Sequence, residues 1–369
     1  MKITAAVSRA GEPFPRIEQA DLADEPRAGE LLVRLAAAGI CHTDVRTHKG
    51  DGWNTPKPVV LGHEGAGIVE KVGPGVTHVR PGDHVALSGS SCGRCPSCLD
   101  NQPSYCREVI PRSFGGHRMD GSSALSQGGE RLHGHFFGQS SFATFAIADA
   151  RGAVPIPSDV PFEIAAPLGC GLLTGAGAVF CSFALRPGQS IAIFGAGSVG
   201  LAAVMAARLA GAGQIIAIEP QPERRRRAEE LGATATVDPG TADPVAAVTS
   251  LVPDGVDCSF ITVVAPPAFE AAIAMLGMRG RAIFVSSPPE PLSLHLRTLL
   301  AGGKSLRGII GGDADPQVAI PMLLDYWRQG RFPIDRLVTT FPFERIADAF
   351  AACGQGGVIK PVLLMDRKG

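Results

Sequence analysis

Cys92, Cys95 and Cys98, in the run Cys92-Gly93-Arg94-Cys95-Pro96-Ser97-Cys98, are followed by Cys106, so four soft donors fall within fifteen residues. Four thiolates suit a closed tetrahedral zinc site that keeps no ligand position for chemistry. Such a site is structural, and its metal supplies folding energy to a stretch rich in glycine, serine and proline. Four unrelated core cysteines would be out of place in so polar a run. A zinc ribbon for nucleic acid needs a basic patch, which the surrounding residues lack. A second set of donors is dispersed: Cys41 in Gly39-Ile40-Cys41-His42-Thr43-Asp44, His63 with Glu64 in Gly62-His63-Glu64-Gly65, and Cys170 in Pro167-Leu168-Gly169-Cys170-Gly171. Two thiolates and one imidazole leave a fourth position for water or substrate, the arrangement of a catalytic zinc. Spacing alone does not bring these three together, because an isolated Cys or His is more often core than ligand.

The third chemical signal is Ile191-Ala192-Ile193-Phe194-Gly195-Ala196-Gly197-Ser198-Val199-Gly200. The apolar run reads as a buried parallel strand, and the alanine-rich stretch Leu201 to Ala210 reads as its crossover helix. In that setting Gly195 allows a tight turn, and Gly197 lets the backbone approach a pyrophosphate. Gly200 lets the helix pack against the strand while its N-terminus, at Ser198 and Val199, faces the anion. A second strand, Gln214 to Ile218, ends in Glu219, nineteen residues past the last glycine. A carboxylate there accepts from the adenosine ribose hydroxyls and repels a 2′-phosphate, which favours NAD over NADP. Arg224, Arg225, Arg226 and Arg227 follow at once. A guanidinium swung toward the ribose would admit NADP, whereas a solvated helix face with Glu229 and Glu230 as partners would not.

These sites require two kinds of scaffold. Residues up to about 160 alternate short β-like runs, such as Glu30 to Leu35 and Gly67 to Val72, with Gly and Pro turns, which predicts a mostly β domain. From about residue 172, strands alternate with alanine-rich helices, including the strand candidates Val256 to Val264 and Arg281 to Ser286, as a doubly wound sheet requires. Beyond about residue 309, a helix around Pro316 to Arg328 and a strand Val358 to Met365 fit either domain. A length of 369 residues suits two domains, and 45% hydrophobic with 19% charged residues describes a globular enzyme. Thirty-four Lys and Arg against 35 Asp and Glu give no reason to expect nucleic acid or an anionic membrane as partner. Without a signal-like h-region or a run of about 20 apolar residues, we expect a cytoplasmic protein, where nine cysteines serve as ligands or core thiols rather than bridges.

Taken in order, these motifs resemble the zinc-dependent alcohol dehydrogenases of the medium-chain dehydrogenase/reductase superfamily nearly end to end. The stretch GHEGAGIVEKVGPGV from Gly62 to Val76 is similar to that family's zinc signature, the four lobe cysteines to its structural site, and GAGSVG to its coenzyme fingerprint. The resemblance implies an α/β protein: a GroES-like catalytic domain over 1–171 with a zinc lobe at about 88–110, a Rossmann coenzyme domain over 172–308, and a segment 309–369 that rejoins the catalytic domain. It implies two zincs per chain, a catalytic one on Cys41, His63 and Cys170 with Glu64 close enough to enter its coordination, and a structural one on Cys92, Cys95, Cys98 and Cys106. It also implies a homodimer or homotetramer acting on a small alcohol or aldehyde. Zinc lowers the pKa of the alcohol so that an alkoxide forms, and hydride passes to the nicotinamide.

Other roles follow from the same resemblance. Thr43 is placed to receive the alcohol proton, although a threonine capping a helix that starts at Asp44 is an equally simple role. Asp44 orients the His63 imidazole, and Thr174 packs against the nicotinamide. His42 and Lys360 present cations to the pyrophosphate, and Arg224 lies near the adenosine ribose. Where many relatives carry a relay histidine, this chain has Arg46, which cannot act as a base, and His48 reads as a surface residue. Ser88 stands where a pocket aromatic is common and would enlarge the pocket, while Trp53 supplies either a flat pocket wall or a loop anchor. His117, His133 and His135 read as exposed loop histidines. The long connection from Cys106 to about Phe145, with His133 to Phe142, resembles the benzyl- and aryl-alcohol branch. The expected reaction is NAD-linked oxidation of a primary benzylic or allylic alcohol. The alternatives are a secondary-alcohol or ketone oxidoreductase, and, remotely, a non-catalytic protein that binds zinc and nucleotide.

Overall fold

A computed structural model describes residues 1–286, 288, 290–353 and 356–365. The chain divides into two units, one of Met1–Cys170, Asp315–Arg328 and Pro333–Gly369, the other of Gly171–Ala314 and Gln329–Phe332. The boundary after the Rossmann-like stretch thus falls at Ala314 rather than at residue 308. The reason is local: Ile309 N–H donates to Phe284 O, and Gly312 lies against Gly177 so closely that a Cβ would not fit. Of the expected segment 309–369, residues 354, 355 and 366–369 lie outside the described residues.

Among the described residues the second unit is one parallel sheet, with strands in the spatial order Ala235–Val237, Gln214–Ile218, Ser190–Phe194, Val256–Ile261, Leu276–Phe284 and Ser305–Gly308. The chain winds outward from Ser190–Phe194 in one direction and then restarts beside it at Val256–Ile261, so the order reverses at the carboxyl end of that central strand. All five residues of Ser190–Phe194 are buried. The helix Ser198–Leu209 buries Gly200 to Ala207, among them Gly200 and four alanines that let it lie close to its neighbours. Gly175 lies so near Val199 O that a Cβ would sit 2.1 Å from it, which explains the glycine at that position.

In the first unit, two antiparallel-rich sheets share one apolar core. The strand Glu30–Gly39 is its pivot, pairing with Gly65–Val72, with Phe145–Asp149 and, near residue 39, with the C-terminal strand Lys360–Leu364. The helix Pro316–Arg328 buries Ala319, Ile320, Leu323 and Leu324, one stripe at helical spacing, and Gln317 Nε2 donates to Ala153 O at 3.0 Å. No single helix among the described residues is long and apolar enough to cross a membrane.

Candidate active site and metal centres

Cys41 ends the strand Glu30–Gly39 and caps the helix His42–Lys49. Asp44, one turn in, returns its Oδ2 to the Cys41 N–H at 3.0 Å, closing a capping box. The helix therefore begins at His42 with Cys41 as its cap, and Thr43 does not cap it. The other carboxylate oxygen, Oδ1, accepts from the Gly62 N–H at 3.1 Å and from His63 Nδ1 at 3.0 Å. Asp44 is fully buried, so one carboxylate fixes the Cys41 segment, the His63 segment and the ring of His63.

With Nδ1 committed, His63 Nε2 is buried without a hydrogen-bond partner among the described residues. One ligand atom each of Cys41, His63, Glu64 and Cys170 lie within 4.8 Å of one another. A hydrogen bond with Cys170 holds the Cys41 thiol well below the usual thiol range, and the same bond together with burial pushes Cys170 up. Burial works against a charge on His63, but the Asp44 carboxylate and the Cys41 thiol outweigh it and raise its pKa well above the usual value. An imidazole nitrogen and two thiols that share one centre fit a zinc ion there, which on binding would displace the protons that His63 and Cys170 otherwise hold. Thr43 Oγ1 lies 3.8 Å from the Cys41 sulfur, so its hydroxyl reaches the same centre.

Glu64 lies within the cluster as expected, but Lys360 departs from expectation. Lys360 is 1% exposed, and its ammonium donates to Glu64 Oε1 at 2.9 Å, Glu64 Oε2 at 2.8 Å and Ile40 O at 3.2 Å. Three N–H groups are thereby spent, and none remains for a pyrophosphate. Lys360 is instead the counter-ion of Glu64, whose pKa burial raises while Lys360 opposes the rise. Ser88 also differs: it is buried, and its hydroxyl donates to Gly169 O at 2.7 Å, so it ties down the residue before Cys170.

In the lobe, ligand atoms of Cys92, Cys95, Cys98 and Cys106 lie within 4.8 Å of one another. Backbone N–H groups point at the sulfurs, Cys92 N to Cys106 Sγ at 3.2 Å and Cys95 N to Cys92 Sγ at 3.4 Å. Backbone N–H bonds from Arg107 and Cys98 bring the Cys95 thiol to about 6, whereas burial pushes Cys106 up to about 12. A cluster whose backbone stabilises thiolate fits a closed zinc site.

Trp53, 56% exposed, lies against Phe114 at 5.4 Å, Phe114 meets Phe137 at 5.1 Å, and Phe137 stacks on the His63 ring at 4.5 Å. Phe137 holds a left-handed φ of 53°, as does His135 at 59°. Neither angle has a sequence signature, which is why Phe137 was not singled out from the residues. His135 is buried and His133 half-buried, not exposed. His48 is buried too, its ring bonded to Ser8 Oγ at 2.7 Å and Glu12 O at 3.0 Å. His42 is exposed, and Arg46 donates to Asp51 O.

In the second unit Gly195 has a φ of 94°, and a Cβ on Gly200 would meet Gly195 O at 1.8 Å. A Cβ on Gly197, by contrast, would have open space around it, and the helix behind it at Ser198 carries no side-chain cap. An open backbone turn with uncapped N–H groups fits a dinucleotide phosphate. Glu219 is 4% exposed and accepts from Ala196 N at 2.8 Å and Gln221 N at 3.0 Å, which holds the glycine turn in place. A carboxylate has about four acceptor sites, so two bonds leave others for a ribose. Arg225 is committed to Asp238 at 3.0 Å and to Glu219 O, Arg226 pairs with Glu230, and Arg224 is half-buried on the helix Pro222–Leu231. Thr174 is buried in Gly171–Gly177.

The family model described as alcohol dehydrogenase GroES-like domain matches residues 27–158, and that described as zinc-binding dehydrogenase matches residues 198–325. Geraniol dehydrogenase of Castellaniella defragrans is 45% identical over 347 residues, covering 92% of this chain and 91% of that protein. The chain belongs to the zinc-dependent alcohol dehydrogenases. This dehydrogenase also superimposes on the crystal structure of benzyl alcohol dehydrogenase from Acinetobacter calcoaceticus with a TM-score of 0.95 and 36% identity, over 99% of this chain and 100% of that one. A zinc-binding dehydrogenase of Sinorhizobium meliloti 1021, solved bound to NADP, matches with a TM-score of 0.81 and 27% identity over 99% of both chains. The α/β dehydrogenase thus joins a GroES-like domain to a Rossmann-type domain, and it is an oxidoreductase that uses zinc and a nicotinamide coenzyme.

Proposed function

We propose that this dehydrogenase oxidises a primary allylic or benzylic alcohol to the aldehyde, reversibly, with NAD and two zincs per chain. The convergence of Cys41, His63 and Cys170, with Nε2 of His63 buried and without a hydrogen-bond partner among the described residues, carries the chemistry. When bound, the zinc supplies Lewis-acid activation of the alcohol and the nicotinamide accepts hydride. The protein's part is positional. Cys41, His63 and Cys170 hold the catalytic metal, while Glu64 stays paired with Lys360 beside it. Asp44 fixes the imidazole, and Thr43 Oγ1 would accept the alcohol proton while giving up its own toward water. Thr174 packs on the nicotinamide; Gly195, Gly197, Ser198, Val199 and Gly200 receive the pyrophosphate, with His42 as a cation toward it. Cys92, Cys95, Cys98 and Cys106 hold the structural zinc.

The substrate class rests on the aromatic surface Trp53, Phe114 and Phe137, whose flat faces suit a planar unsaturated group next to the carbinol. The geraniol and benzyl alcohol dehydrogenases to which the chain is similar support the same class. A cytoplasmic setting keeps the six ligand cysteines reduced. Homo-oligomerisation is the assembly we expect, since Met278 and Leu300 are 77% and 84% exposed on the second unit.

Initial rates of coenzyme reduction against benzyl, cinnamyl, geranyl, linear primary and secondary alcohols, with NAD and NADP separately, test this. The highest kcat/KM is expected for allylic or benzylic alcohols with NAD; preference for secondary alcohols would overturn the substrate reading. Coenzyme choice is tested at Glu219: Glu219→Ser is expected to raise the NADP-to-NAD efficiency ratio by about tenfold or more, the cost of roughly one pairing interaction at the ribose. An unchanged ratio would sink the ribose role and leave Glu219 as a brace for the glycine turn.

A further inference from the structure

Gln139 is 1% exposed in the turn after Phe137. Its Oε1 accepts from Gly65 N at 3.0 Å, and its Nε2 donates to His63 O at 3.0 Å and Ser88 O at 3.1 Å. One N–H partner and two carbonyl partners admit only one orientation of the amide, so oxygen and nitrogen are fixed by the network itself. Ser88, held at its carbonyl, then donates its hydroxyl to Gly169 O at 2.7 Å, the residue before Cys170. A connected chain of hydrogen bonds therefore runs from the backbone of His63 through Gln139 and Ser88 to the backbone that carries Cys170.

Asp44 makes the matching connection on the other side, from Cys41 N to Gly62 N and the His63 ring. Cys41 and His63 adjoin the ends of two paired strands, where Gly39 N donates to Glu64 O at 2.8 Å, whereas Cys170 comes from a distant part of the chain and side-chain bonds add to what the pairing supplies. Two braces set their separation: Asp44 between Cys41 and His63, and Gln139 with Ser88 between His63 and Cys170. We infer that Gln139 is a positioning residue for the catalytic metal, acting through Ser88 to fix Cys170 against His63. It touches neither metal nor substrate. This rests on the metal assignment above and adds to it a residue that no ligand motif contains.

The test uses the full-length protein with its metals and reads metal release to a chromogenic chelator, together with the visible spectrum after cobalt replaces the catalytic zinc. Gln139→Met keeps the volume and removes the acceptor and both donors. It is expected to speed release of one metal about tenfold to a hundredfold, the usual effect of removing a group that orients a ligand, to shift the cobalt bands, and to leave the lobe metal's release unchanged. Ser88→Ala keeps the carbonyl that Gln139 uses and removes only the Gly169 bond. It is expected to move both readouts the same way by less. Wild-type release rates and an unshifted cobalt spectrum in both variants would overturn the inference. If Gln139→Met loses both metals through misfolding, Ser88→Ala decides by the same readouts. A wild-type chain that holds only the lobe metal would overturn the catalytic-metal reading itself, and this inference with it.

Discussion

Cys170→Ala is expected to lower turnover by more than about a thousandfold, because the Lewis acid it helps to hold contributes several kcal/mol to the reaction. The same variant should retain the lobe metal, since Cys92, Cys95, Cys98 and Cys106 share no ligand with Cys41, His63 and Cys170. Metal analysis should then read one zinc per chain where the parent reads two, with the fold intact by circular dichroism. Loss of both metals together would contradict two independent sites. Retention of both with lost activity would place Cys170 elsewhere in the chemistry.

The second large effect is expected at Lys360. Its ammonium is the buried partner of Glu64, with side chains 1% and 0% exposed. Lys360→Met leaves a carboxylate in the core without its counter-ion, which should cost about 3–5 kcal/mol of stability. Replacing both partners, Lys360→Met with Glu64→Leu, removes the stranded charge and should recover much of that loss, since a buried pair exchanged for apolar groups is often near neutral. Denaturant unfolding of the single and double variants checks the pattern. A pyrophosphate ligand would behave differently: the single variant would weaken coenzyme binding and leave unfolding unchanged.

Local motifs carried far in this chain. The lobe cysteines sit within one short run, so their spacing already describes the cluster that the structure forms. The glycines at 195, 197 and 200 likewise describe a turn whose neighbours are adjacent in sequence. The helix Pro316–Arg328 was legible as a helix, but not the unit to which it belongs. The meeting of Cys41, His63 and Cys170 was not, since it depends on Asp44 and on strand pairing across the sheet, and only the resemblance to a family anticipated it. The roles of Lys360 and Ser88 failed for the same reason in reverse. A family's pattern assigns a position, but which partner a buried ammonium or hydroxyl finds depends on neighbours 296 residues away for Lys360 and 81 for Ser88. Phe137 and Gln139 were illegible because they follow a turn with left-handed angles at His135 and Phe137, and no residue type there announces it.

The pairing of Glu64 with Lys360 spans 296 residues, and this separation dictates an order of assembly. On the ribosome the second unit, drawn mainly from Gly171–Ala314, emerges as an almost continuous stretch and can close before synthesis ends. The first unit must wait. Until Lys360–Leu364 is released, Glu30–Gly39 lacks one neighbour, and the carboxylate beside the zinc ligands has no cation to settle against. The unit that holds the zinc ligands is thus completed after the second unit, although most of it precedes that unit in the chain.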